Sequence, residues 1–210
     1  MQCQRILTYS WLTNASFEQP LTPIVSGGWT TFPGTWYTLS EDYGTALAFD
    51  VFERTTAWST DGTHALRLLL SATRIGPAGT SNVRVAAING ATWTDGTFPH
   101  GMWSVDSAQT YTFSADFYGV TNVDWISDLA GCFMGIAWYE STGQHLSDST
   151  NGQGNPDHVV DGSTVHLSVS ASPPGDAIWA VPFVGLLIPI NYGGGQSEVY
   201  VDNAGFGPPP

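Results

Sequence analysis

The chain has 210 residues, 42% of them apolar and only 11% charged, which suits one sizeable core and excludes a disordered chain. Eighteen acids face five basic residues, all of them arginine, for a net charge of −13. Residues 1–84 carry six acids and five arginines (−1), residues 85–210 twelve acids and no Lys or Arg (−12), a balance that repels phosphate and excludes nucleic acid and anionic membranes as partners.

No apolar run reaches the ~18 residues of a membrane helix, so no membrane insertion is expected. The longest, Ala177 to Ile190, is broken by Pro182 and Pro189. The opening MQCQRILTYSWLTN has one Arg, a very short apolar stretch and no small-residue cleavage site. It does not read as a secretory signal, and synthesis in a cytoplasm is expected. Cys3 and Cys132 are too few for a disulfide framework and read as two free thiols. Nine Trp, eight Tyr and ten Phe with 24 Gly and 13 Pro make a poor helix former and a good source of strands and turns.

In chain order, Arg5 to Glu18 reads as an early strand ending in Asn14-Ala15-Ser16-Phe17-Glu18. Thr35–Leu39 and Ala46–Phe52 are further short strands, and Asp61-Gly62 is a turn signal leading into a strand over Thr63–Leu70. Residues 71–81 read as loop, Asn82–Asn89 as strand, and 90–108 as a glycine-rich loop. Gln109–Tyr118 alternates cleanly, with Tyr111, Phe113, Ala115 and Phe117 on one face. Cys132–Glu140 is a strand closed by Ser141-Thr142-Gly143, and 144–162 a polar loop without apolar periodicity. Ser163–Ser170, Ile178–Ile190 and Glu198–Phe206 complete nine or ten strands at all-β spacing. One antiparallel β-sandwich, a jelly roll with long loop insertions, is expected over residues 1–206, followed by a short Pro-rich tail at 207–210.

The aromatics include candidates for stacking on sugar rings: Trp36, Tyr37, Tyr43, Trp93, Trp103 and Trp125, all in loop-like or edge regions. The same rings suit contacts to a neighbouring subunit. Trp29, Phe17, Phe113 and Trp138 read as core. No GxSxG, HExxH, CxxC or phosphate loop occurs and the five histidines have no metal-ligand spacing, so no enzyme is expected.

Seven motifs in order carry a resemblance. Asn14-Ala15-Ser16-Phe17-Glu18, Gly28-Trp29 and Asp61-Gly62-Thr63-His64-Ala65-Leu66-Arg67-Leu68 resemble the opening of carbohydrate-binding-module jelly rolls of families 4, 9 and 22. Tyr111-Thr112-Phe113-Ser114-Ala115, the segment Gly135 to Gly143, Val165 to Pro174, and Glu198-Val199-Tyr200-Val201-Asp202-Asn203 resemble their later strands. Residues 71–108 and 144–162 look like insertions over the family's shorter form. The resemblance implies a structural Ca²⁺ held by Glu18, Asp61, the backbone carbonyl of His64, and Asp202.

It also implies a setting. Such modules occur on secreted glycoside hydrolases and in phage particles, notably minor tail proteins of actinobacteriophages. Without a signal or an attached catalytic domain, the expectation is a virion structural protein, a minor tail protein that contacts host cell-wall glycan. Its partners would be other virion proteins, further copies of itself and a host surface glycan. A capsid decoration protein of the same fold, and a stand-alone lectin-like module, are the alternatives.

Overall fold

The computed structural model describes residues 11–12, 15–18, 24–26, 29–31, 36–40, 51–71, 80–87, 102–120, 131–150, 162–189 and 196–209. Among them are thirteen strands and no helix. They are β1 (Ile24–Ser26), β2 (Trp29–Thr31), β3 (Trp36–Ser40), β4 (Val51–Thr55), β5 (Ala65–Ser71), β6 (Thr80–Ala87) and β7 (Trp103–Ser104). Then follow β8 (Tyr111–Val120), β9 (Gly131–Tyr139), β10 (His145–Thr150), β11 (Thr164–Ala171), β12 (Trp179–Pro189) and β13 (Gln196–Gly207).

Two antiparallel sheets form the body. One runs β1-β2-β3-β6-β12-β9-β10, with β7 paired to β12. The other runs β11-β8-β13-β5-β4. The chain changes sheets at β3 to β4, β5 to β6, β7 to β8 and β8 to β9, and at every connection from β10 to β13. That interleaving sets β5-β13-β8-β11 against β6-β12-β9-β10, the strand order of a jelly roll. The expected all-β sandwich is therefore the observed fold.

Alternation explains which faces meet. On β8, Tyr111, Phe113, Ala115 and Phe117 are buried and their neighbours face out. They pack with Leu66 and Leu68 of β5, Val199 and Val201 of β13, and Met134, Ile136 and Trp138 of β9. Trp138, fully buried, donates from Nε1 to Ser149 Oγ at 2.9 Å, so its one polar atom is satisfied. Phe17, Phe113 and Trp138 are core residues, as their sequence context suggests.

Several sequence expectations change: the segment 90–108, read as loop, contains β7, and β6 starts at Thr80 within the expected 71–81 loop. The polar segment 144–162 contains β10, which pairs with β9 from Thr150↔Gly135 to His145↔Tyr139. Edge pairing needs only backbone donors and acceptors, so HLSDST forms a strand with a single apolar side chain, Leu146, packed against the core. Residues 11–12 and 15–18 are not strand, although they run beside β13. Trp11 N–H donates to Phe206 O at 2.7 Å, and Ala204 N–H to Ala15 O at 3.0 Å.

Candidate functional site

The β4–β5 connection, residues 56–64, folds back over the outer face of the five-stranded sheet. Two acids hold it there. Asp202 Oδ2 accepts from the backbone N–H groups of Thr60 and Asp61, each at 2.7 Å. Glu18 Oε1 accepts from the N–H groups of Thr63 and His64 at 2.6 and 2.8 Å. Gly62 allows this approach: its φ is +77°, and a Cβ there would lie 2.3 Å from Glu18 Oε1. Glu18 is placed in turn by Arg54, which donates to the carbonyls of Phe17 and Glu18 at 2.6 and 2.7 Å.

The two carboxylates feel opposite fields. The Thr63 N–H, then the His64 side chain, pulls the Glu18 carboxyl down to about 2. Asp202 is fully buried, and burial pushes its carboxyl up against the N–H groups of Asp61 and Thr60. A third acid, Asp116, stands opposite Asp202 in the β8–β13 register. It accepts from Thr60 Oγ1 at 2.6 Å and Asn203 Nδ2 at 3.0 Å, and lies 2.6 Å from His166 Nδ1. Burial opposes its charge, but those bonds together hold it below its usual value. Asn203, with φ +50°, sits in the β13 bulge beside Asp202.

Beside the acids lies an aromatic row. The register brings Thr164, Tyr118, Tyr200, Arg67 and Glu53 into one line across β11, β8, β13, β5 and β4. Trp58, on the folded-back loop, stacks on Tyr118 with ring centroids 5.5 Å apart and planes 20° from parallel. Tyr200 closes the trio, 6.0 Å from Tyr118 and 6.4 Å from Trp58. All three rings are half-buried. The row ends in charge: Arg67 donates from Nε to Glu198 Oε1 at 2.6 Å and from Nη1 to Glu53 Oε1 at 2.7 Å. Tyr200 OH donates to the same Glu198 oxygen at 3.0 Å. Burial, then that bond to Glu198, raises the Tyr200 hydroxyl above its usual value.

The metal set expected from sequence is only partly assembled. Glu18, Asp61, His64 and Asp202 do meet at one loop. Both Glu18 oxygens already engage donors or the His64 ring, and Asp202 Oδ2 is taken by amides. Among the described residues no group of three or more His, Cys, Asp or Glu converges to hold a metal ion. One atom fits a cation: Asp202 Oδ1 is buried and has no hydrogen-bond partner.

Of the aromatic candidates, Trp103 needs correction. It is 7% exposed, stacks on Trp11 at 5.7 Å and meets Phe206 at 6.0 Å, so its ring belongs to the core and presents no face to a sugar. Trp36 and Tyr37 lie on β3 in the eight-stranded sheet, opposite Ala87 and Ala86 of β6. Tyr43, Trp93 and Trp125 lie outside the described residues. Trp58, Tyr118 and Tyr200 are absent from the sequence candidates. Their signal was nonetheless present: Tyr118 falls on the polar phase of β8, and Tyr200 between the inward Val199 and Val201.

No protein-family model matches the chain, and no curated protein matches it. Solved structures similar to it include one titled "CBM4 structure and function", with 14% identity, TM-score 0.49, and 93% of this chain and 97% of that one covered. The xylan-binding CBM22-1 domain of Paenibacillus barcinonensis Xyn10C is similar at 13% identity and TM-score 0.46, covering 96% and 95%. The enzymatically active domain of bacteriophage CBA120 tailspike protein 4 is similar at 11% identity and TM-score 0.47. There the match covers 95% of this chain but 21% of the tailspike chain. Among the described residues no helix is long and apolar enough to cross a membrane.

Proposed function

We propose that the chain is a glycan-binding jelly roll that serves as a structural protein of a phage particle, a minor tail protein touching the host cell wall. The observation that carries the binding half is the Trp58–Tyr118–Tyr200 trio, half-buried on an outer sheet face beside Arg67, Glu53 and Glu198. Aromatic faces with a few placed polar groups are what sugar rings need. The virion half rests on the ordered motif resemblance of the sequence. Trp36, Tyr37, Tyr43, Trp93 and Trp125 remain proposed glycan or assembly contacts on the same terms.

The test is retention of the purified chain on insoluble cell-wall glycan, with light scattering to read its assembly state and mass spectrometry of phage particles to find it. A monomer retained by cell walls and released by soluble glycan supports binding. A defined oligomer without wall affinity makes it an assembly protein instead.

A structural Ca²⁺ is proposed at Asp202, whose Oδ1 is the atom open to it, with Glu18, Asp61 and the His64 carbonyl as the remaining set. It would tie residues 15–18, the 56–64 loop and β13 together. A melting temperature raised by added calcium and lowered by chelator is the expected result.

A further inference from the structure

We propose that β11 pairs with β11 of a second copy of this chain, antiparallel and about a two-fold axis at Ser168, so that the two five-stranded sheets join edge to edge. This interface lies beyond the glycan-binding reading and stands whether or not that reading holds.

The sandwich has four edge strands, β1 and β10 in one sheet and β4 and β11 in the other. An edge presents unpaired N–H and C=O groups, and sheets guard such edges by shortness, charge, proline or a bulge. Three of the four are guarded. β1 has three residues. β4 carries Glu53 and Arg54. β10 carries Asp148 and a register shift between His145 and Ser147. β11 has none of these. Its eight residues, Thr164–Ala171, pair with β8 without a register shift. From Ser163 to Gly175 no Asp, Glu, Lys or Arg occurs, although residues 85–210 hold twelve acids. Among the described residues no strand lies beyond β11.

The backbone phase is fixed. Gly119 N–H donates to Ser163 O at 3.4 Å, and the pairing continues from Thr164↔Tyr118. By alternation the backbone groups of Val165, Leu167 and Val169 point at β8, and those of Thr164, His166, Ser168 and Ser170 point away from it. With the axis at Ser168, that residue meets its own counterpart, His166 meets the partner's Ser170, and Thr164 meets the partner's Ser172. All of these are exposed in one copy. On the inner face Leu167 meets the partner's Val169, and Val165 the partner's Ala171. Polar falls on polar and apolar on apolar, and the two His166 rings stay apart. Val165, Leu167 and Ala171 are only partly buried in one copy, packed against the core. A second copy covers them, and that apolar area favours the pairing. Each copy carries −13, so long-range repulsion opposes approach and the acid-free strip is where it is least. One strand pair is a small interface, so the dimer is weak in dilute solution.

The experiment is sedimentation velocity of the full chain over a wide concentration range, at low and high salt. A monomer–dimer equilibrium is expected, tightened by salt as repulsion is screened. Ser168→Lys sets like charges face to face at the axis, and Ser168→Pro removes an outward N–H. Each should raise the dissociation constant at least tenfold with unchanged circular dichroism. Ser168→Cys in a Cys3→Ser/Cys132→Ser background should form a disulfide-linked dimer on oxidation, since opposed Cα atoms of a hydrogen-bonded pair lie about 5.5 Å apart. Ser170→Cys in the same background should not, because it faces His166. If that background does not fold, Ser168→Lys and Ser168→Pro with the native cysteines carry the test. A monomer at every concentration and salt, without cross-linking, would overturn the interface. A dimer that neither Ser168→Lys nor Ser168→Pro weakens would overturn its place on β11. Cross-linking of Ser170→Cys in preference to Ser168→Cys would overturn the two-fold register.

Discussion

Gly62 and Glu18 together decide where the 56–64 loop sits. The glycine has a left-handed backbone, and the space of its missing Cβ is filled by the Glu18 carboxylate. Gly62→Ala should cost about 1–3 kcal/mol through backbone strain and displacement of the acid, read as a lower urea midpoint at unchanged slope. Glu18 also sets an acid limit. Its folded-state value of about 2 lies below its ordinary 4.5, so its contribution is complete above 4.5 and is lost as pH falls from there toward 2. Asp202 acts in the opposite sense: its value is raised, so protonating it favours the fold. In chelator, Glu18→Gln should flatten the acid limb of a stability–pH curve and Asp202→Asn should steepen it. Asp61-Gly62 was legible in sequence as a turn. That the Asp61 amide would cap an acid 141 residues away, and the following Thr63 amide one 45 residues away, was not, because local turn chemistry carries no record of its distant partners.

At the scale of elements, β9 and β12 pair Gly135 with Phe183. A Cβ on Gly135 would fall 2.6 Å from Phe183 Cζ and 2.8 Å from the backbone oxygen of Ser149. The ring can turn; the oxygen belongs to the β9–β10 pairing and cannot move without it. Gly135→Ala is therefore expected to destabilise by about 1–3 kcal/mol in chemical denaturation, with the loss concentrated in hydrogen-exchange protection of β10. The sequence reads long apolar alternation well: β8, β11 and β13 lie within a few residues of their expected bounds. It reads polar edges poorly, as β10 shows, because an edge strand's hydrogen bonds are made by backbone that carries no side-chain signature. The aromatic platform was missed for a related reason. Alternation places Tyr118 and Tyr200 outward, but only the β8–β13 register makes them neighbours.

At the scale of the molecule, the strand order brings the arginine-bearing half and the acidic half of the sequence into contact among the described residues. The jelly roll inserts β13, from the acidic half, between β8 and β5, and β5 carries Arg67 from the arginine-bearing half. The result is the Arg67–Glu198 pair, with Glu198 only 11% exposed. Arg67→Ala should leave that carboxylate poorly solvated and without its cation, held only by the Tyr200 hydroxyl, costing about 1–3 kcal/mol. The loss should shrink in Arg67→Ala/Glu198→Gln, as a double-mutant cycle would show.

The hydrogen bond from Trp11 N–H to Phe206 O joins the first described residues to the last strand. It makes the stretch from Trp11 to Phe206 nearly a closed ring. Joining residue 209 to residue 11 by a short linker and cutting elsewhere would give a circular permutant of residues 11–209 with its new ends at the exposed Gly175-Asp176 turn, and the same sandwich should form from the re-ordered chain.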